Sequence, residues 1–151
     1  MIGIHGYPRA HDSKKIARLR SVPLFADCTD DQLAAIARLT DELALPAGRR
    51  PIHEGGHPHE FLVLVEGEAE ARRGGRLLRR LGPGDFVGEL SLLSGGPRTA
   101  TVVTTTPVRL LVLTDRAFAR IVEGVPGISL KLMRAVAERA LPEAAATRAA
   151  A

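Results

Sequence analysis

Glu89 and Arg98, separated by a short apolar run and a Gly-Gly-Pro break, are the residues of this sequence best suited to chemistry. They lie in the stretch Phe86 to Val103, Phe-Val-Gly-Glu-Leu-Ser-Leu-Leu-Ser-Gly-Gly-Pro-Arg-Thr-Ala-Thr-Val-Val. Gly88 permits a tight or left-handed turn, Glu89 and Ser91 open a short helix with Leu90, Leu92 and Leu93 as its apolar residues, and Gly95-Gly96-Pro97 ends it. The backbone N–H groups at such a helix start point outward, and the helix dipole favours an anion there. Arg98 adds a planar, permanently charged donor fork at the head of the strand-like run Thr99 to Val103. A carboxylate repels phosphate, so Glu89 is better suited to accept hydrogen bonds from a hydroxyl. Together these groups favour holding a phosphorylated ligand that also carries a hydroxyl.

The elements that must position them follow from apolar periodicity. From Glu42 to Leu113 the chain reads as short strands divided by Pro, Gly and charged turns, the spacing of a sandwich, jelly roll or barrel. Helix-like patterns flank this region. Ser13 to Arg20 predicts a basic amphipathic helix with a solvated face of Lys14, Lys15, Arg18 and Arg20. Thr29 and Gln32 have capping-box spacing before a helix through Leu33, Ile36 and Leu39. Thr104 to Pro107 reads as a hairpin connection, and Asp115 as the cap of a helix through Phe118, Ile121 and Val122. Gly124 to Pro126 breaks that helix. A last helix is expected over about 127–141, with Ile128, Leu132, Val136 and Ala140 on one face and Leu130, Met133 and Arg134 partly elsewhere. The fold class is therefore mainly β with flanking helices: an antiparallel β-roll or jelly roll with N-terminal helices, a short helix between Gly88 and Gly95, and two C-terminal helices.

Composition bounds the function. The 151 residues fit one domain, and an aromatic share of only 3% predicts a core of Leu, Val, Ile and Ala. The net charge of +4 mildly favours anionic partners. Cys28 is the only cysteine, so an internal disulfide is excluded and a reduced, cytoplasmic setting is the default. No leader-like apolar stretch opens the chain, and no apolar run approaches the roughly 18 residues of a membrane span. The Ala/Arg/Gly-rich composition looks bacterial.

Other motifs carry less. His53, His57 and His59 with Glu54 and Glu60 raise a metal site of the kind a cupin-like enzyme uses, but Pro58 interrupts the strand and no later histidine completes the set. Solvated loop histidines are the expectation, with no metal. The arginine pairs Arg72-Arg73 and Arg79-Arg80 flank a hairpin at Gly74-Gly75 and read as solvated strand edges, with contact to an acidic partner as the alternative. Gly82-Pro83-Gly84 and Gly88 lack dinucleotide spacing, no phosphate loop ends in Lys-Ser or Lys-Thr, and Ser91 and Ser94 lack a nucleophile-elbow context. No catalytic set is found.

The Gly88–Ala100 segment resembles the phosphate-binding cassette of the cyclic nucleotide-binding domain family. Glu54-Gly55-Gly56, the run Phe61 to Gly67, Leu81-Gly82-Pro83-Gly84-Asp85 and the upstream Val22-Pro23-Leu24-Phe25 are similar to that family's signals in order, over roughly residues 22 to 140. Val87 and His57-Pro58-His59 depart from its pattern. The resemblance implies Gly88, Glu89, Leu90 and Ser91 around ribose and phosphate, Arg98 on the cyclic phosphate, Thr99 and Ala100 at phosphate and base, and Leu130, Met133 and Arg134 as base cap. It implies a non-catalytic sensor, without cofactor, for cyclic AMP and also for cyclic GMP, signalling through its C-terminal helices to an unknown effector protein. Homodimerisation through the last helix is one partner expectation. Few residues follow Pro142, so DNA binding within this chain is not expected. The corresponding division is a basic helical segment at 1–21, a nucleotide-binding domain at 22–141 and an Ala-rich tail at 142–151. The alternatives are a cupin-like metal-dependent enzyme and a cassette-bearing interaction domain that binds no nucleotide.

Overall fold

The period-two pattern of the central segment resolves into strands β1 (Asp41–Leu45), β2 (Glu60–Glu66), β3 (Ala69–Arg73), β4 (Arg76–Leu81), β5 (Phe86–Val87), β6 (Thr101–Thr104) and β7 (Val108–Thr114). The computed structural model describes residues 10–56, 59–89, 92 and 96–138. One sheet has the order β1-β7-β2-β5 and the other β4-β3-β6, with antiparallel pairing throughout. Strand β2 is apolar on both faces because it has two cores to fill. Phe61 and Val63 face the helices, while Leu62 and Leu64 join Ala69, Leu81, Val102 and Leu110 between the sheets. This is the β-roll with flanking helices.

Helices α1 (Ala10–Ser21), α2 (Asp30–Leu39) and α3 (Asp115–Gly124), a 3-10 turn at Pro23–Phe25 and α4 (128–138) cover one face of the first sheet. Phe61 stacks at 4.8 Å on Phe118 and at 5.5 Å on Phe86, joining α3, β2 and β5. The capping box of α2 forms as expected: Thr29 Oγ1 accepts from Gln32 N at 3.2 Å, and Gln32 Oε1 accepts from Thr29 N at 2.9 Å. Residues 1–9 and 139–151, with Ala140 and the tail, lie outside the described residues.

Four local expectations change. Helix α1 begins before Ser13, and Lys15, Arg18 and Arg20 of its basic face bind within the protein, while Lys14 is exposed as expected. Lys15 is buried and donates to the carbonyls of Ala37 at 3.2 Å and Thr40 at 2.6 Å, satisfying the C-terminal end of α2. Arg18 pairs with Glu42, and Arg20 with Asp30. The cap of α3 is Thr114, whose Oγ1 accepts from Ala117 N at 3.1 Å. A cap needs extended backbone, which the end of β7 supplies, whereas Asp115 is already helical. The Thr104–Pro107 segment is no hairpin, because β6 pairs with β3 and β7 with β1 and β2, so it carries the chain between sheets. Its threonines act as staples: Thr104 Oγ1 donates to Pro46 O and accepts from Arg49 N, and Thr106 Oγ1 accepts from Glu68 N.

Ile128 and Leu132 of α4 are buried in the helical core, and Val136 is half-buried. Lys131 Nζ reaches Asp27 at 2.7 Å and Pro23 O at 3.1 Å. The hydrogen bond and charge of Lys131 hold the Asp27 carboxyl below the usual carboxylate range. That small contribution to stability is present above the ordinary carboxylate pKa and is lost as pH falls through the lowered one. Burial pushes the Cys28 thiol up, so it stays protonated at neutral pH. No helix among the described residues is long and apolar enough to cross a membrane.

Candidate functional site

Among the described residues, the buried charged side chains are Lys15, Glu89 and Arg98. Burying charge is expensive, so each needs a reason. Lys15 has one in the fold, as the cap of α2. Glu89 and Arg98, 1% and 7% exposed, are the two residues that the sequence selects for anion and hydroxyl binding.

Two separate pieces of backbone bring them together. Strand β5 pairs with β2 through Phe86–Val63 and Val87–Leu62, which fixes the chain entering Gly88. Gly88 then turns with φ 101°, and Glu89 begins a helical segment in which Leu92 N donates to Gly88 O at 3.4 Å. Arg98 lies across from the Gly55–Gly56 turn: its N donates to Gly56 O at 3.0 Å, and Gly55 N donates to its O at 2.8 Å. A bridge between Ile52 and Val102 continues this pairing. Glu54 is therefore a structural anchor, its carboxylate accepting from Gly74 N at 2.9 Å.

The guanidinium of Arg98 closes the site. Nη1 donates to Gly88 O at 3.2 Å and Nη2 donates to Glu60 O, which sets the plane of the fork. A Cβ on Gly88 would stand 2.8 Å from both Arg98 Nη1 and Glu60 O, so glycine is required by space as well as by φ. Burial pushes the Arg98 guanidinium below its ordinary value, and the charges of Glu60 and Glu89 oppose that shift. Chemically, the arrangement is a buried carboxylate beside an oriented cation at a helix start, suited to a ligand with a hydroxyl and an anionic group.

The remaining sequence expectations are distributed as follows. Thr99 is exposed and Ala100 half-buried, both directly after Arg98. Leu90 and Ser91, with Leu93, lie outside the described residues. Leu130 and Met133, 51% and 66% exposed, and the exposed Arg134 present their side chains to solvent from α4. His53 and His59 are exposed, and His57 and Pro58 lie outside the described residues. Two contributors were not legible in the sequence: the Glu60 carbonyl under Arg98, and Arg73, whose Nε donates to Thr99 O at 2.8 Å. A backbone carbonyl has no residue signature. Arg73 carried only a hairpin signal.

The family model described as cyclic nucleotide-binding domain matches residues 42–124. A cAMP-dependent protein kinase regulatory subunit from Colletotrichum orbiculare is 38% identical over 112 residues, covering 73% of this chain and 29% of that protein. This chain spans between 23% and 33% of the length of such curated relatives, which come from fungi; the bacterial expectation finds no support in them. The solved structure "cAMP bound PfPKA-R (141-441)" is 25% identical with a TM-score of 0.78, over 86% of this chain and 46% of that one. A regulatory subunit of a cAMP-independent protein kinase A from Trypanosoma cruzi, bound to guanosine, is 25% identical with a TM-score of 0.72, over 80% of this chain and 44% of that one.

Proposed function

This chain belongs to the cyclic nucleotide-binding domain family, and we propose that it is a non-catalytic sensor that holds cyclic AMP between Gly88 and Ala100 and reports occupancy to an effector protein. The observation that carries this reading is the buried Glu89–Arg98 pair on a Gly88 turn that admits no side chain. The cAMP in a similar solved structure supports the ligand. In this reading Arg98 and the N–H groups of the segment holding Leu90 and Ser91 take the cyclic phosphate. Glu89 accepts from the ribose 2'-hydroxyl, and Thr99 and Ala100 adjoin phosphate and base. Leu130, Met133 and Arg134 move onto the base, or form a seam between two copies, when α4 shifts. A difference in affinity between two positions of the C-terminal helices supplies the signal. The regulatory subunits that it resembles make a protein kinase the kind of effector to expect.

Ligand-dependent melting tests the reading. At 100 times Kd, cyclic AMP should stabilise the fold by about 2.7 kcal/mol, raising Tm by roughly 5–10 °C. Guanosine should give a smaller shift at equal concentration, because it offers Arg98 no phosphate. Equal shifts for the two ligands would remove Arg98 from the mechanism.

Base and sugar contacts divide in a second test. Glu89→Gln should bind cyclic AMP more weakly and lose its preference over the 2'-deoxy analogue. Thr99→Ala should lower cyclic GMP affinity several-fold, the loss of one hydroxyl contact of about 0.5–1.5 kcal/mol, and leave cyclic AMP nearly unchanged. Equal losses in Thr99→Ala would mean that Thr99 touches the shared phosphate and does not read the base.

A further inference from the structure

The chain carries a formal charge of +4, and one hairpin accounts for all of it. From Ala69 to Leu81, strands β3 and β4 hold five arginines, Arg72, Arg73, Arg76, Arg79 and Arg80, against one acid, Glu70, so the rest of the chain is balanced. Glu70 is committed to Arg72 at 3.0 Å. Arg73 and Arg79 turn inward, to Thr99 O and Phe86 O. Arg76 and Arg80 are exposed on β4, with Leu77 and Leu78 between them 38% and 39% exposed. Strand β4 is the edge of its sheet, paired with β3 alone.

We propose that the β4 edge docks an acidic, extended peptide segment, which adds to the sheet as a strand; the register with β3 sets Arg80 and Leu77 on one face and Arg76 on the other, so the segment carries carboxylates on both of its faces, with apolar side chains between them for the exposed leucines. An edge strand is a template for pairing, and charge decides with what. Arginines repel a second copy of the same edge and attract an acidic strand. An anionic membrane fits less well, because the hairpin tip is Gly74–Gly75, with no side chain to insert. Lys15, Arg18 and Arg20 of α1 are already used, since they bind within the protein. Nothing in this docking requires a nucleotide.

Fluorescence anisotropy tests it with a labelled peptide of Glu and Val in the repeat Glu-Glu-Val, which puts carboxylates on both faces of an extended strand. The full chain should bind this peptide saturably, bind a Lys-Lys-Val counterpart about tenfold or more weakly, and lose affinity as salt rises. The double variant Arg76→Glu, Arg80→Glu should lose at least about tenfold, while Arg76→Lys, Arg80→Lys keeps most of the binding. Both positions are exposed, and an unchanged melting curve verifies the fold of each variant. Absence of binding at millimolar Glu-Glu-Val peptide overturns the proposal, as does unchanged binding by the charge-reversed protein. Binding of phosphatidylserine vesicles without binding of the peptide overturns it in favour of a membrane.

Discussion

Arg98→Ala is expected to weaken cyclic AMP binding by roughly 2–5 kcal/mol, about thirty-fold to a few-thousand-fold in Kd. The loss has two sources. The phosphate would be desolvated without a charged partner, and Glu89 would remain buried without the cation beside it. The variant also removes the donors to Gly88 O and Glu60 O, so the unliganded protein should melt earlier. Arg98→Lys separates charge from geometry. It keeps the positive charge but cannot span two carbonyls and a phosphate with one rigid fork, so its affinity should fall between the two. Calorimetry on folded Arg98→Ala with wild-type affinity would refute the assignment.

Gly88→Ala should be the most damaging single methyl in the site. The backbone there has φ 101°, which costs an L-residue about 1–3 kcal/mol, and the new Cβ would press on Glu60 O and Arg98 Nη1 at 2.8 Å. Forcing these apart adds about 1–3 kcal/mol of overpacking. A total loss of about 2–6 kcal/mol is a large part of the stability of an ordinary domain. Chemical denaturation should show it as a lowered midpoint at unchanged slope. Because the same contact aims Arg98, cyclic AMP affinity should fall in any fraction that folds. Gly48→Ala makes a suitable control, since its φ is also positive, at 83°, but its Cβ would meet nothing within 4 Å. Equal losses at the two positions would reduce the Gly88 effect to backbone strain alone.

The site was legible where chemistry is written in residue types. A glycine followed by a carboxylate, an apolar helix start and an arginine after Gly-Pro can be read without coordinates, and in the structure both Glu89 and Arg98 are buried, with the Arg98 guanidinium on the carbonyl of Gly88 next to Glu89. The β-roll was legible too, because β2 must be apolar on both faces to serve two cores, and the continuous run Phe61 to Val65 says so. Tertiary reach was not. Lys15 sits on the polar stripe of α1, and only the nearby end of α2 turns it into a buried cap. Thr104 to Pro107 has turn composition, but composition does not tell which sheet receives the next strand. At α3, Thr114 and Asp115 are both good caps, and the choice between them depends on where β7 ends.

Direct calorimetric titration of the unmodified chain with cyclic AMP tests the sensor reading most simply. The reading predicts one ligand per chain, with saturable heat that Arg98→Ala abolishes or weakens as above and with 5'-AMP a poorer competitor than cyclic AMP. A folded protein that shows no saturable binding of cyclic AMP or cyclic GMP at millimolar concentration would contradict it.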